Sequence, residues 1–233
     1  MKYLSLFSGV GGGDLGLQHL IGLECVGYVE WDKYCCRVLE QRIKDGFLAY
    51  APVFCGDIRE WIKRGYAESY SGLVDVVAGG FPCQPFSVAG KQKAGSDDRN
   101  MWPATIESIR IIRPKLVFLE NVPGLLSSGY AATVASDLHG AGYQVLPPLV
   151  LGAIDVGAPH KRDRVWFAAH SSIKGGGQLP IQQRGQDEAS IDAQWVGEFV
   201  SNAEIKRRNE GRLSERTKSK LTQSGIGSKN VSN

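Results

Sequence analysis

Over the first 170 residues, short apolar runs alternate with stretches of helical spacing. The apolar runs fall at 3–7, 24–30, 53–54, 74–78, 115–120, 144–151 and 164–169, each of strand length. Between the first five lie segments with apolar positions three and four apart: 33–41 behind Asp32 as a candidate N-cap, 58–63 and 101–112. Strand and helix in alternation predict a parallel sheet covered on both faces, the doubly wound α/β architecture. The last two runs are joined only through a short loop containing Gly157 and Pro159. That leaves room for an antiparallel edge hairpin but not for a crossover helix.

The pattern fails after His170. Gly175-Gly176-Gly177 opens a stretch rich in Gln, Ser and Asn, whose one amphipathic piece is 191–200 with Trp195, Val196 and Phe199 on a face. Such a stretch cannot bury a core of its own. The expected organisation is therefore a folded domain over 1–170 and a loosely ordered region over 171–233.

Candidate chemistry gathers where the predicted strands end. The first runs into Phe7-Ser8-Gly9-Val10-Gly11-Gly12-Gly13, a glycine-rich turn leading into a helix. Glycines let backbone approach a ligand closely, and helix N-terminal N–H groups favour an anionic group. A plain structural turn or a dinucleotide site fits that turn equally well. The second run ends in Glu30, placed to accept from both hydroxyls of a ribose, with Trp31 beside it to pack on a base. The third ends before Asp57 and Ile58; the aspartate could accept from an exocyclic amino group or simply cap the next helix. The fourth leads into Gly79-Gly80-Phe81-Pro82-Cys83-Gln84-Pro85, which holds a cysteine between two prolines in a stiff loop. A buried inert thiol would leave the glycine pair and both prolines without a role; a nucleophile in a cleft would use them. The fifth delivers Glu120-Asn121-Val122, again a charge at a carboxyl end of the sheet.

Composition narrows the picture without redirecting it. The 233 residues, 42% of them hydrophobic, suffice for one full-sized core. No run of eighteen apolar residues and no leader pattern occurs, so a soluble intracellular protein without membrane association is expected. The five cysteines, Cys25, Cys35, Cys36, Cys55 and Cys83, include neither a CxxC nor a Cys/His cluster; free thiols and no metal are expected. The net charge of +3 is too small to imply a nucleic-acid partner. Its distribution is uneven, since 201–233 carries a net +5, including Arg207, Arg208, Arg212 and Arg216.

Four blocks, Phe7 to Gly12, Gly80 to Ser87, Glu120 to Val122 and Arg162-Asp163-Arg164-Val165, occur in the order and approximate spacing of one family's signature. In these the chain resembles the DNA (cytosine-5)-methyltransferases. The resemblance implies a doubly wound, Rossmann-like, mostly parallel sheet of the S-adenosylmethionine-dependent methyltransferase type. It implies S-adenosylmethionine as cofactor, held by Phe7, Ser8, Gly9, Gly11, Gly12, Glu30, Trp31, Asp57, Ile58 and Pro82. Cys83 matches the nucleophile, Glu120 the carboxyl that stabilises the base at N3, and Arg164 with Arg162 the contacts to base oxygen and phosphate. The implied substrate is double-stranded DNA with its target cytosine swung out, in the cytoplasm of a bacterial or phage-infected cell. An RNA methyltransferase of the same fold shares the catalytic motifs. The sequence departs from the family at His160, where glutamine is usual, and in 171–233, which contains no match to the family's final helix and its Asn-rich block. A fragment, or a subunit that depends on a second chain for those motifs, is therefore also expected.

Overall fold

The computed structural model describes residues 1–82 and 99–172. All of them belong to the first of two compact units, Met1–Glu188; the second, Ala189–Asn233, lies outside the described residues, as does the expectation for nearly all of 171–233.

The chain forms β1 (Lys2–Leu6), α1 (Gly12–His19), β2 (Glu24–Glu30), α2 (Lys33–Lys44), β3 (Val53–Cys55), α3 (Ile58–Lys63) and β4 (Val76–Gly79). Then follow α4 (Trp102–Ile112), β5 (Leu116–Asn121), the single turn α5 (Gly124–Ser127), α6 (Tyr130–Gly140), β6 (Tyr143–Val145), β7 (Leu149–Leu151) and β8 (Arg164–Ser171). These strands make one sheet in the order β3-β2-β1-β4-β5-β8-β6, with β7 also paired to β8. The first five strands of that order run parallel, and β8 runs antiparallel to β5. The expected doubly wound sheet with an antiparallel edge is what forms.

Burial explains why the central strands are apolar on both faces. Tyr3, Tyr28, Val76 and Ala78 pack with Leu39 of α2 and with Leu48 in one cluster. Leu4, Leu6, Val77, Val117 and Leu119 are also buried, and by strand alternation they face the other way. On that side α4 packs against α3 and α6. Asp32 caps α2 by accepting from the Cys35 amide at 2.8 Å, as its position predicts.

Two elements differ from the sequence reading. The single run expected at 144–151 is split at Pro147-Pro148 into β6 and β7, both antiparallel to β8. Between Val145, opposite Ala169, and Leu149, opposite Trp166, this edge uses one residue more than β8 does, so the prolines occupy a bulge. Helix α6 was not expected at all: its Tyr-Ala-Ala-Thr-Val-Ala-Ser-Asp sequence has little polar contrast, although Ala131, Val134, Ala135 and Leu138 are buried.

Candidate active site

Strands β1 and β4 are neighbours, yet the chain proceeds from β1 toward β2 and β3 on one side and from β4 toward β5 on the other. In open α/β sheets ligands bind at such a switch point, beyond the carboxyl ends of the strands. A cavity of about 590 Å³ opens there, within the range of small-molecule sites. Phe7 directly follows β1, Val29 and Glu30 end β2 with Trp31 just beyond, and Gly56, Asp57, Ile58 and Arg59 run from the end of β3 into α3. Gly80, Pro82, Arg99 and Met101 complete the lining beyond β4.

The glycine turn builds one wall. Phe7 has φ +53°, a left-handed conformation that costs a non-glycine residue about 1 kcal/mol or more and marks a constrained site. The turn brings the Gly9 amide to Glu30, donating to Oε2 at 2.6 Å, while the Asp32 amide donates to Oε1 at 2.7 Å. Two backbone donors thus fix the Glu30 carboxylate at the cavity edge, with lone pairs left for further donors. Ser8, Gly11 and Gly12 do not line the cavity. The Ser8 hydroxyl donates to the Ser5 carbonyl at 3.2 Å. Gly11, at φ +81°, caps α1 where a side chain would collide with Leu39 and Leu48.

Asp57 caps α3 and lines the cavity as well. Its Oδ1 accepts from the Arg59 amide at 2.8 Å, and its Oδ2 pairs with the Arg59 guanidinium at 2.6 Å. Those hydrogen bonds from Arg59 hold its carboxyl below the usual carboxylate range. Ile58 is buried beside it, whereas the Trp31 ring is two-thirds exposed.

A second cluster lies beyond β5. Antiparallel pairing sets Glu120 opposite Trp166, which puts Arg164, two residues away, on the same face as Glu120. The Arg164 Nε lies 2.5 Å from Glu120 Oε1. Burial pushes the Glu120 carboxyl up, and the charges of Arg164 and Arg162 oppose that push. Arg162 is itself left-handed, with φ +43°. The cluster adjoins the cavity through Gly80, where a Cβ would lie 2.8 Å from Glu120 Oε2. A side chain at Gly80 would push the Glu120 carboxylate aside.

Asn121, next in β5, is buried, donates from Nδ2 to the Phe81 carbonyl at 2.9 Å and accepts from the Val122 amide at 2.8 Å. The Phe81 ring packs on Trp102, with centroids 5.1 Å apart, and the Trp102 indole donates to Asp137 at 2.7 Å. Pro82 is thereby placed. Cys83, the expected nucleophile, lies outside the described residues.

Of the ten residues expected to hold a cofactor, six line the cavity, and Gly9 acts on it through Glu30. Sequence reasoning missed Val29, Gly56, Arg59, Gly80, Arg99 and Met101 as lining residues, and assigned Asn121 no role. Gly80 and Asn121 stand inside the motifs singled out above; Arg59 and Arg99 belong to none of them. Cys25, Cys35, Cys36 and Cys55 are free thiols. Among the described residues no group of three or more His, Cys, Asp or Glu is arranged to hold a metal ion, and no helix is long and apolar enough to cross a membrane.

Comparison with known proteins places this geometry in a family. Residues 1–227 match the model of the C-5 cytosine-specific DNA methylases. The type II methyltransferase M.HhaI of Haemophilus parahaemolyticus is 34% identical over 171 residues, covering 72% of this chain and 48% of its own. M.HpaII of Haemophilus parainfluenzae is 30% identical over 178 residues, covering 74% and 47%. M.AquIA of Picosynechococcus is 36% identical over 185 residues, covering 72% and 71%. The chain thus spans about half the length of the first two. Among solved structures, one described as a DNA modification methyltransferase encoded within an E. coli prophage superposes with a TM-score of 0.57 at 26% identity, covering 73% of this chain and 47% of that one. Spodoptera frugiperda DNMT2, at 21% identity, shares the fold with a TM-score of 0.59 over 79% of this chain and 53% of its own. The chain belongs to the C-5 cytosine-specific DNA methylase family.

Proposed function

We propose that this chain is the catalytic part of a DNA cytosine-5 methyltransferase, which moves a methyl group from S-adenosylmethionine to carbon-5 of cytosine in double-stranded DNA. The observation that carries the reading is the cavity at the β1–β4 switch point, walled by Glu30 and Asp57 and joined through Gly80 to the Glu120–Arg164 pair. Its lining fits the cofactor: Glu30 to accept from the ribose hydroxyls, Asp57 to accept from the adenine amino group, and Phe7, Trp31 and Ile58 for the apolar faces. Bound there, S-adenosylmethionine supplies an electrophilic methyl group on a sulfonium.

The chain's own residues do the rest. Carbon-5 of cytosine is a weak nucleophile, so the Cys83 thiolate adds at carbon-6 and turns carbon-5 into an enamine carbon. Glu120, its carboxyl raised by burial, hydrogen-bonds N3 where negative charge accumulates. Arg164 orients Glu120 and reaches the base oxygen; Arg162 reaches the neighbouring phosphate. Carbon-5 then takes the methyl group, and loss of its proton to solvent expels the Cys83 thiolate and restores the aromatic ring. These steps require a base swung out of the duplex. Residues 171–233 begin the target-recognition region, with Arg207, Arg208, Arg212 and Arg216 on phosphates. Names of bacterial type II enzymes among the relatives favour DNA over RNA, and a cytoplasmic site of action. Those relatives contain about as much chain again as is matched here.

Calorimetry with S-adenosylhomocysteine tests the cofactor site. Glu30→Ala is expected to weaken binding by about tenfold or more, the scale of a charged hydrogen bond lost. Equal binding by both proteins would remove Glu30 from the site.

A further inference from the structure

The Asp57–Arg59 fork is more than a helix cap. Arg59 turns one edge of its guanidinium onto a residue two positions earlier: Nε donates to Oδ1 and to Oδ2, each at 3.0 Å, and one terminal nitrogen donates to Oδ2 at 2.6 Å. The Nε hydrogen is shared between the two oxygens, and the Arg59 amide is a third donor, to Oδ1 at 2.8 Å, which leaves the carboxylate an acceptor site for a further donor. Such a fork fixes the carboxylate plane as well as its position, which a point charge would not. Both residues line the cavity. Helix stability does not account for the arginine, because a cation in the first turn sits at the positive end of the helix dipole.

We propose that Arg59 is a positioning residue for adenine recognition: it locks the Asp57 carboxylate in the orientation that accepts from the 6-amino group of adenine and repels a 6-oxo group. The inference rests on the assignment of the cavity to S-adenosylmethionine and adds the source of its base selectivity. With its rotamer fixed, Asp57 cannot turn away from a purine that presents an oxygen, so an unpaired acceptor facing an acceptor penalises the wrong base. Without the Arg59 guanidinium the carboxylate keeps only the Arg59 amide, which holds one oxygen and leaves its plane free to turn. The adenine hydrogen bond weakens and the penalty on hypoxanthine disappears together.

The test is a comparison of two ligands, S-adenosylhomocysteine and its deaminated analogue S-inosylhomocysteine, by calorimetry on the full chain. Wild type is expected to prefer the adenosyl compound. Arg59→Ala is expected to lower that preference about tenfold, and Arg59→Lys, which cannot form the fork, is expected to restore little of it. If Arg59→Ala weakens both ligands equally, or neither, the arginine serves only the start of α3 and the inference is wrong while the cavity assignment stands. Wild-type binding of neither ligand would overturn the cavity assignment and this inference with it. Circular dichroism on each variant, expected to match wild type, separates either result from unfolding.

Discussion

Adjacent residues of β5 divide the labour at the proposed site. Glu120 meets Arg164 beside the cavity, while Asn121 reaches into the buried side and holds the Phe81 carbonyl. Asn121→Ala leaves that carbonyl without its partner, and the expected cost is about 1–3 kcal/mol in denaturant unfolding. Because Phe81 and Pro82 lead directly to Cys83, methyl transfer should fall further than cofactor affinity does. An unchanged kcat would show that the anchor is structural alone. Residues of this kind divide by how visible they are in sequence. Glu30 and Asp57 were legible because acids at strand ends are rarely there for packing. Arg59 was not, because its role depends on a side chain folding back two positions, which no periodicity reveals.

At the scale of elements, α1 is tied to the sheet by a polar network under the glycine turn. Asp14 in its first turn is buried and accepts from the Tyr3 hydroxyl at 2.8 Å; Gln18 donates to the hydroxyls of Tyr3 and Tyr28 at 3.1 and 3.3 Å. Burial raises the Asp14 carboxyl above its ordinary value, and hydrogen bonds from Tyr3 and Ser5 offset only part of that. The folded state therefore keeps a proton that the unfolded chain releases near pH 4, so stability falls as pH rises from there through the folded value. Asp14→Asn keeps an acceptor for Tyr3 without the charge. It is expected to stabilise the protein at pH 7 by about 1 kcal/mol, with the gain vanishing below about pH 4. Unfolding curves at both pH values check this; a loss at pH 7 that shrinks at the lower pH would mean that the charged form is the favoured partner of Tyr3. The strand–helix alternation up to β5 could be read from apolar spacing, since each run is short and bounded. The β6–β7 edge could not, because a continuous apolar run does not show that its two prolines sit in a bulge.

For the whole molecule, one sheet gathers residues from five separate places in the chain. Phe7, Glu30, Asp57 and Gly80 meet at the switch point, with Glu120 one strand further on. Their order along the sequence already resembled the family's, whereas their convergence is a property of the topology. The central claim is that this cleft serves covalent attack by Cys83 on cytosine. It is tested most directly in the cells that make the protein, where any partner chain is present, by incorporating 5-aza-2′-deoxycytidine into their DNA. Nitrogen at ring position 5 carries no proton to lose, so an attacking thiolate stays bonded to carbon-6. The account predicts that the chain is recovered on DNA under denaturing conditions through Cys83, and that Cys83→Ser abolishes recovery. No adduct with the wild-type chain, or an adduct that persists in Cys83→Ser, would contradict it.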